Sequence, residues 1–312
     1  MLWLAGLMGL LAVGAVGFID MDSNSDEEDG DEDMVEATGT GTGSMGDMGP
    51  TGDDDLSDTT DDTGQDTAGD GADGDDTVYG SDTNDTLQGG AGNDNLNGQS
   101  GDDLLLGGDG DDTIFGNNDN DTLLGGAGND SLQGSDGNDF VNGGDGDDTV
   151  SGGLQSDTLS GGTGSDLVFG GWGDDLVNGV QDDPDTDALD DTDQGDLLNG
   201  GDGDDTIIAG NNDTVTSGDG DDTIVGGSWI TEGNAMEIID FNADDDNILL
   251  IYEDNAKIPD ITLQADPNDP DVTQVFMDGI AVARVLNGAG ISIEDISIMP
   301  LSLAQSAGMA PL

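Results

Sequence analysis

Between Gly71 and Asn178 the chain divides into twelve successive nine-residue units with no insertion. Position one is Gly in every unit, from Gly71 and Gly80 to Gly161 and Gly170. Position six is Asp in every unit: Asp76, Asp85, Asp94, Asp103, Asp112, Asp121, Asp130, Asp139, Asp148, Asp157, Asp166 and Asp175. Position eight is Val, Leu or Ile throughout, from Val78 to Val177. With Asp at about a fifth of the stretch, twelve hits in register would arise by chance at roughly 10⁻⁸ or less. A period this short and regular restricts the segment to a solenoid in which each unit packs only on its neighbours.

Composition narrows what such a solenoid can do. The 312 residues carry 72 acids against Lys257 and Arg284 alone, a net charge of -70. Nucleic acid and anionic membrane surfaces are excluded as partners, because both need Lys or Arg at the phosphates. There is no His and no Cys, so zinc sites and thiol or imidazole catalysis are excluded too. Aromatics are only 4%, too few for a large apolar core. The acid is nearly all Asp, with no Glu between Glu36 and Glu232. A chain selected for charge alone has no reason to avoid Glu. Asp tolerates tight turns and Gly supplies the positive φ angles they require, so the pair reads as turns built around oxygen ligands.

A short strand at positions seven to nine would face residue eight inward and its neighbours outward. If two units complete one coil, each residue stacks on its equivalent eighteen positions later at about 4.8 Å. Asp76, Asp94, Asp112, Asp130, Asp148 and Asp166 then form one column, which repels itself unless cations intervene. Calcium suits the column because it takes six to eight oxygens in flexible geometry, backbone carbonyls included; magnesium demands a tighter octahedron and keeps its waters.

An eighteen-residue superperiod lies beneath the nine. The odd units keep Gly at position four and mostly at two, giving Gly74, Gly90, Gly92, Gly108, Gly110, Gly126, Gly128, Gly144, Gly146, Gly162 and Gly164 as turn residues. The even units lose the fourth glycine at Thr83, Asp119 and Gln155, and carry Ser81, Gln99, Asn117 and Ser135 at position two. One edge of the solenoid is therefore expected to be a complete ligand column and the other a degraded one. Beyond Asn178, residues 179–190 read as a unit with three inserted residues, 191–199 fits poorly, and 209–216 is one residue short. GGDGDDTII (200–208) and 217–225 fit well and add Asp205 and Asp222, on the odd edge under this parse.

The consensus, seen in GGDGDDTIF at 107–115 and GGDGDDTVS at 143–151, resembles the calcium-binding nonapeptide of the RTX (haemolysin-type) proteins, a repeat whose general form is established. The resemblance covers about half of the chain, residues 71–225, and implies an all-β fold, a flattened parallel β-roll whose turns alternate between two edges. It implies several bound Ca²⁺ ions, with the position-six Asp residues and the turn glycines as the site. IIDFNADDDNILL (238–250) also resembles the segment that follows the repeats in that family.

The flanks divide the rest. Residues 1–19 carry no charged side chain, enough for a membrane anchor or, with Ala15 and Gly17 as a cleavage spacing, an export signal. Residues 20–70 read as a disordered acidic linker. Residues 226–312 alternate apolar and polar residues in MEIIDF, NILLIY, ITLQA and QVFMDGIAVARVL, with Asp278-Gly279 as a hairpin turn. They are expected to form a small antiparallel β cap over the last coil. The uncharged tail MPLSLAQSAGMAPL (299–312) is compatible with that family's type I secretion region, or with a frayed terminus.

Catalysis has little to stand on. Repeated turn carboxylates offer no distinct acid/base pair, an EF-hand loop would end in Glu, and a phosphate-cradling loop would need Lys. Tyr79, Leu106, Phe115, Leu124, Phe140 and Phe169 are expected to point outward, as strand formers or as an adhesive stripe. The sequence thus supports a non-enzymatic, extracellular or cell-surface protein that folds on binding calcium. The alternative is a surface or adhesion protein in which calcium only rigidifies the roll.

Overall fold

The computed structural model describes residues 68–181, 191–192, 195–254, 256–286 and 290–309. The apolar segment 1–19, the linker up to residue 67, the loop around Pro184 and the last three residues of the tail lie outside the described residues.

The repeats form a parallel β-roll. Its strands begin with β1 (Ala68–Asp73), β2 (Thr77–Tyr79), β3 (Thr86–Ala91), β4 (Asn95–Ser100), β5 (Leu104–Asp109) and β6 (Thr113–Asn118). They continue through β7 (Thr122–Ala127), β8 (Ser131–Asp136), β9 (Phe140–Asp145), β10 (Thr149–Leu154), β11 (Thr158–Thr163) and β12 (Leu167–Trp172). The array ends with β13 (Leu176–Asn178), β14 (Leu197–Asp202), β15 (Thr206–Ile208), β16 (Thr214–Asp219) and β17 (Thr223–Gly227). The odd-numbered strands form sheet I and the even-numbered ones sheet II, each pairing in parallel with the strand two further on.

The register is the eighteen-residue one: Leu105 pairs with Leu123 on sheet I and Ile114 with Leu132 on sheet II. Most strands run six residues where three were expected. Position-one Gly continues the strand and also faces inward, as the alternating burial of β6 shows, so the turn proper shrinks to positions four to six. Every position-eight residue is buried, from Val78 to Ile224, giving a ladder one aliphatic side chain thick per strand. In the first described coil the register partner of Leu87 is Gly69.

The expected outward residues are outward. Tyr79, Phe140 and Phe169 are exposed, and Leu106, Phe115 and Leu124 are half-buried.

Two sequence expectations are corrected beyond Asn178. Residues 179–199 are not two units; they are one unit whose turn carries twelve extra residues, since Leu167 pairs with Leu197, thirty positions on. This insertion changes which edge follows. Asp175 donates its N–H to Asp205, and Asp205 to Asp222, so both good units sit on the even edge, not the odd one.

After β17 the parallel ladder persists through β18 (Met236–Ile238) and β19 (Asn247–Tyr252). An antiparallel meander follows: β20 (Ile261–Ala265), β21 (Val272–Met277) and β22 (Ile280–Leu286), with β22 also pairing with β18. Asp278 and Gly279, at φ 51° and 89°, make the expected hairpin turn. β23 (Ile296–Pro300) closes sheet I beside β19, and α1 (Leu301–Ala307) follows. Met299, Leu301 and Met309 pack on the core, so the described part of the tail is not frayed.

Candidate metal centre

Each position-six Asp immediately precedes a strand, two residues before the inward aliphatic. All of them from Asp85 to Asp175, with Asp205 and Asp222, are buried; Asp76, in the first coil, is half-buried. One carboxylate oxygen is committed to the backbone. Oδ1 of Asp112 accepts the N–H of Asp94 at 2.8 Å, Asp130 that of Asp112 at 2.8 Å, and Asp148 that of Asp130 at 2.7 Å. The same chain on the other edge links Asp85, Asp103, Asp121, Asp139, Asp157 and Asp175. A second ladder at position five runs the opposite way on the outside: Asn129 N–H donates back to Asp111, and Asp147 N–H to Asn129, at 2.9 Å each. Each turn is thus held from both neighbours.

The other oxygen is the informative one. Oδ2 of Asp94, Asp103, Asp112, Asp121, Asp130, Asp139, Asp148, Asp157, Asp166, Asp175, Asp205 and Asp222 is buried without a hydrogen-bond partner. Leaving a buried acceptor unsatisfied costs about 1–3 kcal/mol, more for a charged one. Twelve such atoms in two rows are not packing accidents.

The space beside them is shaped by glycine. A Cβ built at any position-one Gly from Gly80 to Gly152 would fall under 3.0 Å from Oδ2 of its own unit's Asp and from the carbonyl oxygen of the next coil's first glycine. For Gly98 and Gly116 that carbonyl lies 2.9 Å from the built atom. Carboxylate and carbonyl oxygens therefore face one small volume that exists because no side chain fills it. At positions two and four the reason differs. Gly74, Gly90, Gly92, Gly108, Gly110, Gly126, Gly128, Gly144, Gly146, Gly162 and Gly164 all have φ between 109° and 140°, where an L side chain is strained.

Electrostatics agrees with the geometry. Burial is the largest cause and like-charged neighbours add to it, raising Asp112, Asp175 and Asp222 to about 6, Asp103, Asp121, Asp148 and Asp205 to about 7, and Asp157 to about 8. Asp94, Asp130, Asp139 and Asp166 are raised for the same first reason. Among the described residues no group of three carboxylates could hold an ion by side chains alone. The oxygens brought together at a turn are one carboxylate Oδ2 and one glycine carbonyl, a mixed set of the kind a hard cation that also takes neutral oxygens accepts.

Asp85 departs from the row: its Oδ2 accepts the N–H and Oγ of Ser81 at 2.5 and 3.0 Å. Three further Asp residues join the columns. Asp196 accepts from Asp166, Asp213 from Asp196, and Asp246 from Asp222. The nine-residue register hid Asp196 behind the insertion and Asp213 in the shortened unit, and Asp246 lies beyond the last repeat. The signal that finds them is Asp two residues before a buried aliphatic: Leu198, Val215 and Ile248. At Asp213 and Asp246 the second oxygen is taken by Gly210 N–H and Asn242 N–H.

The two edges exchange condition along the roll. Odd turns are complete from Gly89 to Asp166, then give way to the long insertion; even turns regain glycine at Gly171, Gly173, Gly201 and Gly203, all at positive φ. In the degraded even turns Gln99, Asn117, Asp119, Ser135 and Gln155 still hold φ of 73–92°.

Fold and donor set define a parallel β-roll whose turns present stacked oxygen ligands for a hard cation. The RTX calcium-binding nonapeptide repeat model matches residues 70–105, 98–132, 124–159, 151–183, 190–224 and 210–228, and the chain belongs to that family through this repeat region. Among solved structures it is similar to the AlgE6R3 subunit of the Azotobacter vinelandii mannuronan C5-epimerase, at 20% identity over 46% of this chain and 77% of that one, with a TM-score of 0.20. No curated protein matches the chain.

Proposed function

We propose that this chain is an exported, non-enzymatic protein whose roll forms when calcium is supplied. The observation that carries the reading is the pair of rows of partnerless buried carboxylate oxygens in a chain whose basic residues, Lys257 and Arg284, both lie beyond the repeats. Uncompensated buried charge costs several kcal/mol per ion, and no side chain of the array can supply the countercharge. The calcium ligands would be the position-six Asp residues, including Asp76, Asp205 and Asp222, with carbonyls of the glycine turns. Asp85, already bonded to Ser81, would be the weakest of them, and Asp196 a further one. Bound calcium would supply positive charge and accept the chain's oxygens in a flexible geometry; the chain's own contribution is to hold the turns open through glycine and to fix each carboxylate through the bond its Oδ1 accepts in the backbone ladder.

Extracellular calcium modules bind at about 10⁻⁴ to 10⁻³ M. At cytosolic calcium the chain would stay unfolded and exportable, then fold outside by coupled binding. Under this reading residues 1–19 direct the chain to the membrane, 20–70 form a spacer, 71–225 bind calcium and 226–312 close the end of the roll. Far-UV circular dichroism of the full chain, titrated with calcium and separately with magnesium, tests it. The expected result is a cooperative coil-to-β transition specific to calcium. A chain that shows no transition up to about 10 mM, well above the range of such sites, overturns it.

A further inference from the structure

The last repeat unit departs from the consensus at position one. Units from Gly71 to Gly170, and the one at Gly200, open on glycine, whereas residues 217–225 open on Ser217. Position one is the residue whose Cβ faces the carboxylate of its own turn. Built at Gly170 or Gly200, that atom falls under 3.0 Å from Oδ2 of Asp175 or Asp205. Ser217 therefore sends a real side chain toward the volume beside Asp222, and it is fully buried there.

Its hydroxyl does not serve Asp222, whose Oδ2 is buried without a hydrogen-bond partner. Ser217 Oγ lies instead 3.3 Å from Oδ1 of Asp240 and 3.3 Å from Oδ2 of Asp246. Neither carboxylate belongs to the repeat, which the family model follows only to residue 228. The register brings both in. Val215 pairs with Ile238, so two residues on Asp240 comes opposite Ser217, and Asp246 accepts the N–H of Asp222 on its Oδ1 at 3.3 Å. Asp240 is clamped in place, because its two oxygens accept the N–H groups of Ser217 at 2.9 Å and Gly218 at 3.2 Å. A hydroxyl carries one hydrogen, so Ser217 serves one of the two carboxylates and shows a lone pair to the other. Burial raises Asp222 most, and the charges of Asp246 and Asp240 add to it. Among the described residues no ion pair reaches these three acids; Arg284 is turned to Glu237 and Asp266.

We propose that the junction of roll and cap holds a calcium site of its own, built from Asp240, Asp246 and Ser217 Oγ around the unpartnered Oδ2 of Asp222, and that this site binds its ion more tightly than the turns of the repeats do. The inference rests on the calcium reading above and adds ligands that lie outside the nonapeptide. Calcium affinity rises with the number of charged ligands, and three carboxylates stand here where an ordinary turn offers one. Side chains alone do not surround the ion, as nowhere among the described residues; calcium fills the rest of its shell from carbonyls and water. The core behind the site is also thicker than in the array. Residues from Ile248 to Ile251 are buried in succession on β19, so this end keeps its shape at calcium levels that no longer hold the turns.

Equilibrium dialysis of the full chain against falling free calcium tests the proposal, with bound metal counted by atomic emission and circular dichroism on the same samples. At about 10⁻⁵ M, below the ~10⁻⁴ to 10⁻³ M range of extracellular modules, about one ion per chain should remain. Asp240→Asn keeps the shape of the side chain and Ser217→Gly restores the consensus residue, so both should still fold at about 5 mM calcium. Each should release the retained ion, while Asp219→Asn, which neutralises an exposed acid of the same turn, leaves it bound. A chain that folds with calcium yet retains no ion at about 10⁻⁵ M overturns the proposal. So does an ion that survives either variant, or one that Asp219→Asn also removes. A chain that calcium does not fold overturns the calcium reading instead, and the dichroism separates the two failures.

Discussion

Protons should stand in for calcium. The perturbation is a fall in pH from about 8 to about 5 with calcium removed by a chelator. The upper limit is set by the eight carboxylates raised from the ordinary 3.8 to between about 6 and about 8: Asp103, Asp112, Asp121, Asp148, Asp157, Asp175, Asp205 and Asp222. Their folded pKa lies above the unfolded one, so between these values the folded state binds more protons, and stability rises as pH falls. The gain begins near pH 8, where Asp157 starts to protonate, and is complete near pH 4, where the unfolded chain protonates as well. Each group taking up one proton contributes about 1.4 kcal/mol per pH unit. Eight would give about 11 kcal/mol per unit at most, and solvent at the turn edges screens part of this. A quarter of it over two units still rivals the 5–15 kcal/mol stability of an ordinary domain. Far-UV circular dichroism in chelator should therefore show β structure appearing between pH 7 and pH 5, above the pI of about 4.1 where aggregation would intrude. The calcium midpoint should move to higher concentration over the same range, because proton and cation compete for Oδ2. A metal-free chain that is equally unstructured at pH 8 and pH 5, with a calcium midpoint indifferent to pH, would refute the argument that buried charge is what the ion relieves.

Two substitutions separate the apolar ladder from the oxygen site. Leu105→Ala removes a fully buried side chain from the middle of the ladder and should cost about 2.7–5 kcal/mol, read as a rise in the calcium midpoint at unchanged stoichiometry; Leu106→Ala, facing outward, should move it by less than about 0.5 kcal/mol. Gly107→Ala places a Cβ under 3.0 Å from Oδ2 of Asp112 and the carbonyl of Gly125, so calorimetric titration should lose calcium at that turn. An alanine variant that binds the full complement would show that the volume beside position one is not where the ion sits.

Much of this was legible because the repeat reports on two different constraints at once. Position eight reads out the core, and every aliphatic from Val78 to Val177 is buried as the period predicts. Position six reads out the edge, and the eighteen-residue stacking of Asp76, Asp94 and Asp112 follows from the same count. The strand length was not legible, because the inward role of position-one Gly leaves no apolar signature. Nor was the path beyond Asn178. Twelve extra residues are not a multiple of nine, and the insertion itself contains Asp and Gly, so counting forward assigns a false unit and puts Asp205 on the wrong edge. Counting back from buried Leu198 to Asp196 restores the register.

The degraded edge shows why a consensus misjudges such turns. Gln99, Asn117, Asp119, Ser135 and Gln155 occupy positive φ, a conformation that costs a non-glycine residue about 1–2 kcal/mol. A solitary turn with these residues would adopt another shape. Here the turn above and the turn below are already fixed, and the backbone between them is tied to both through the position-five and position-six ladders. Asn120 N–H reaches back to Asp102 while Asp121 N–H reaches forward to Asp139, so a turn that relaxed would forfeit bonds on both sides. At Ser81 the balance tips the other way. One coil from the start of the roll, its N–H and Oγ turn onto Asp85, and the positive φ is absent. The conformation of a turn in this roll is therefore decided less by its own residues than by how many neighbours it is bonded between, and the same applies to the carboxylate that each turn holds in place.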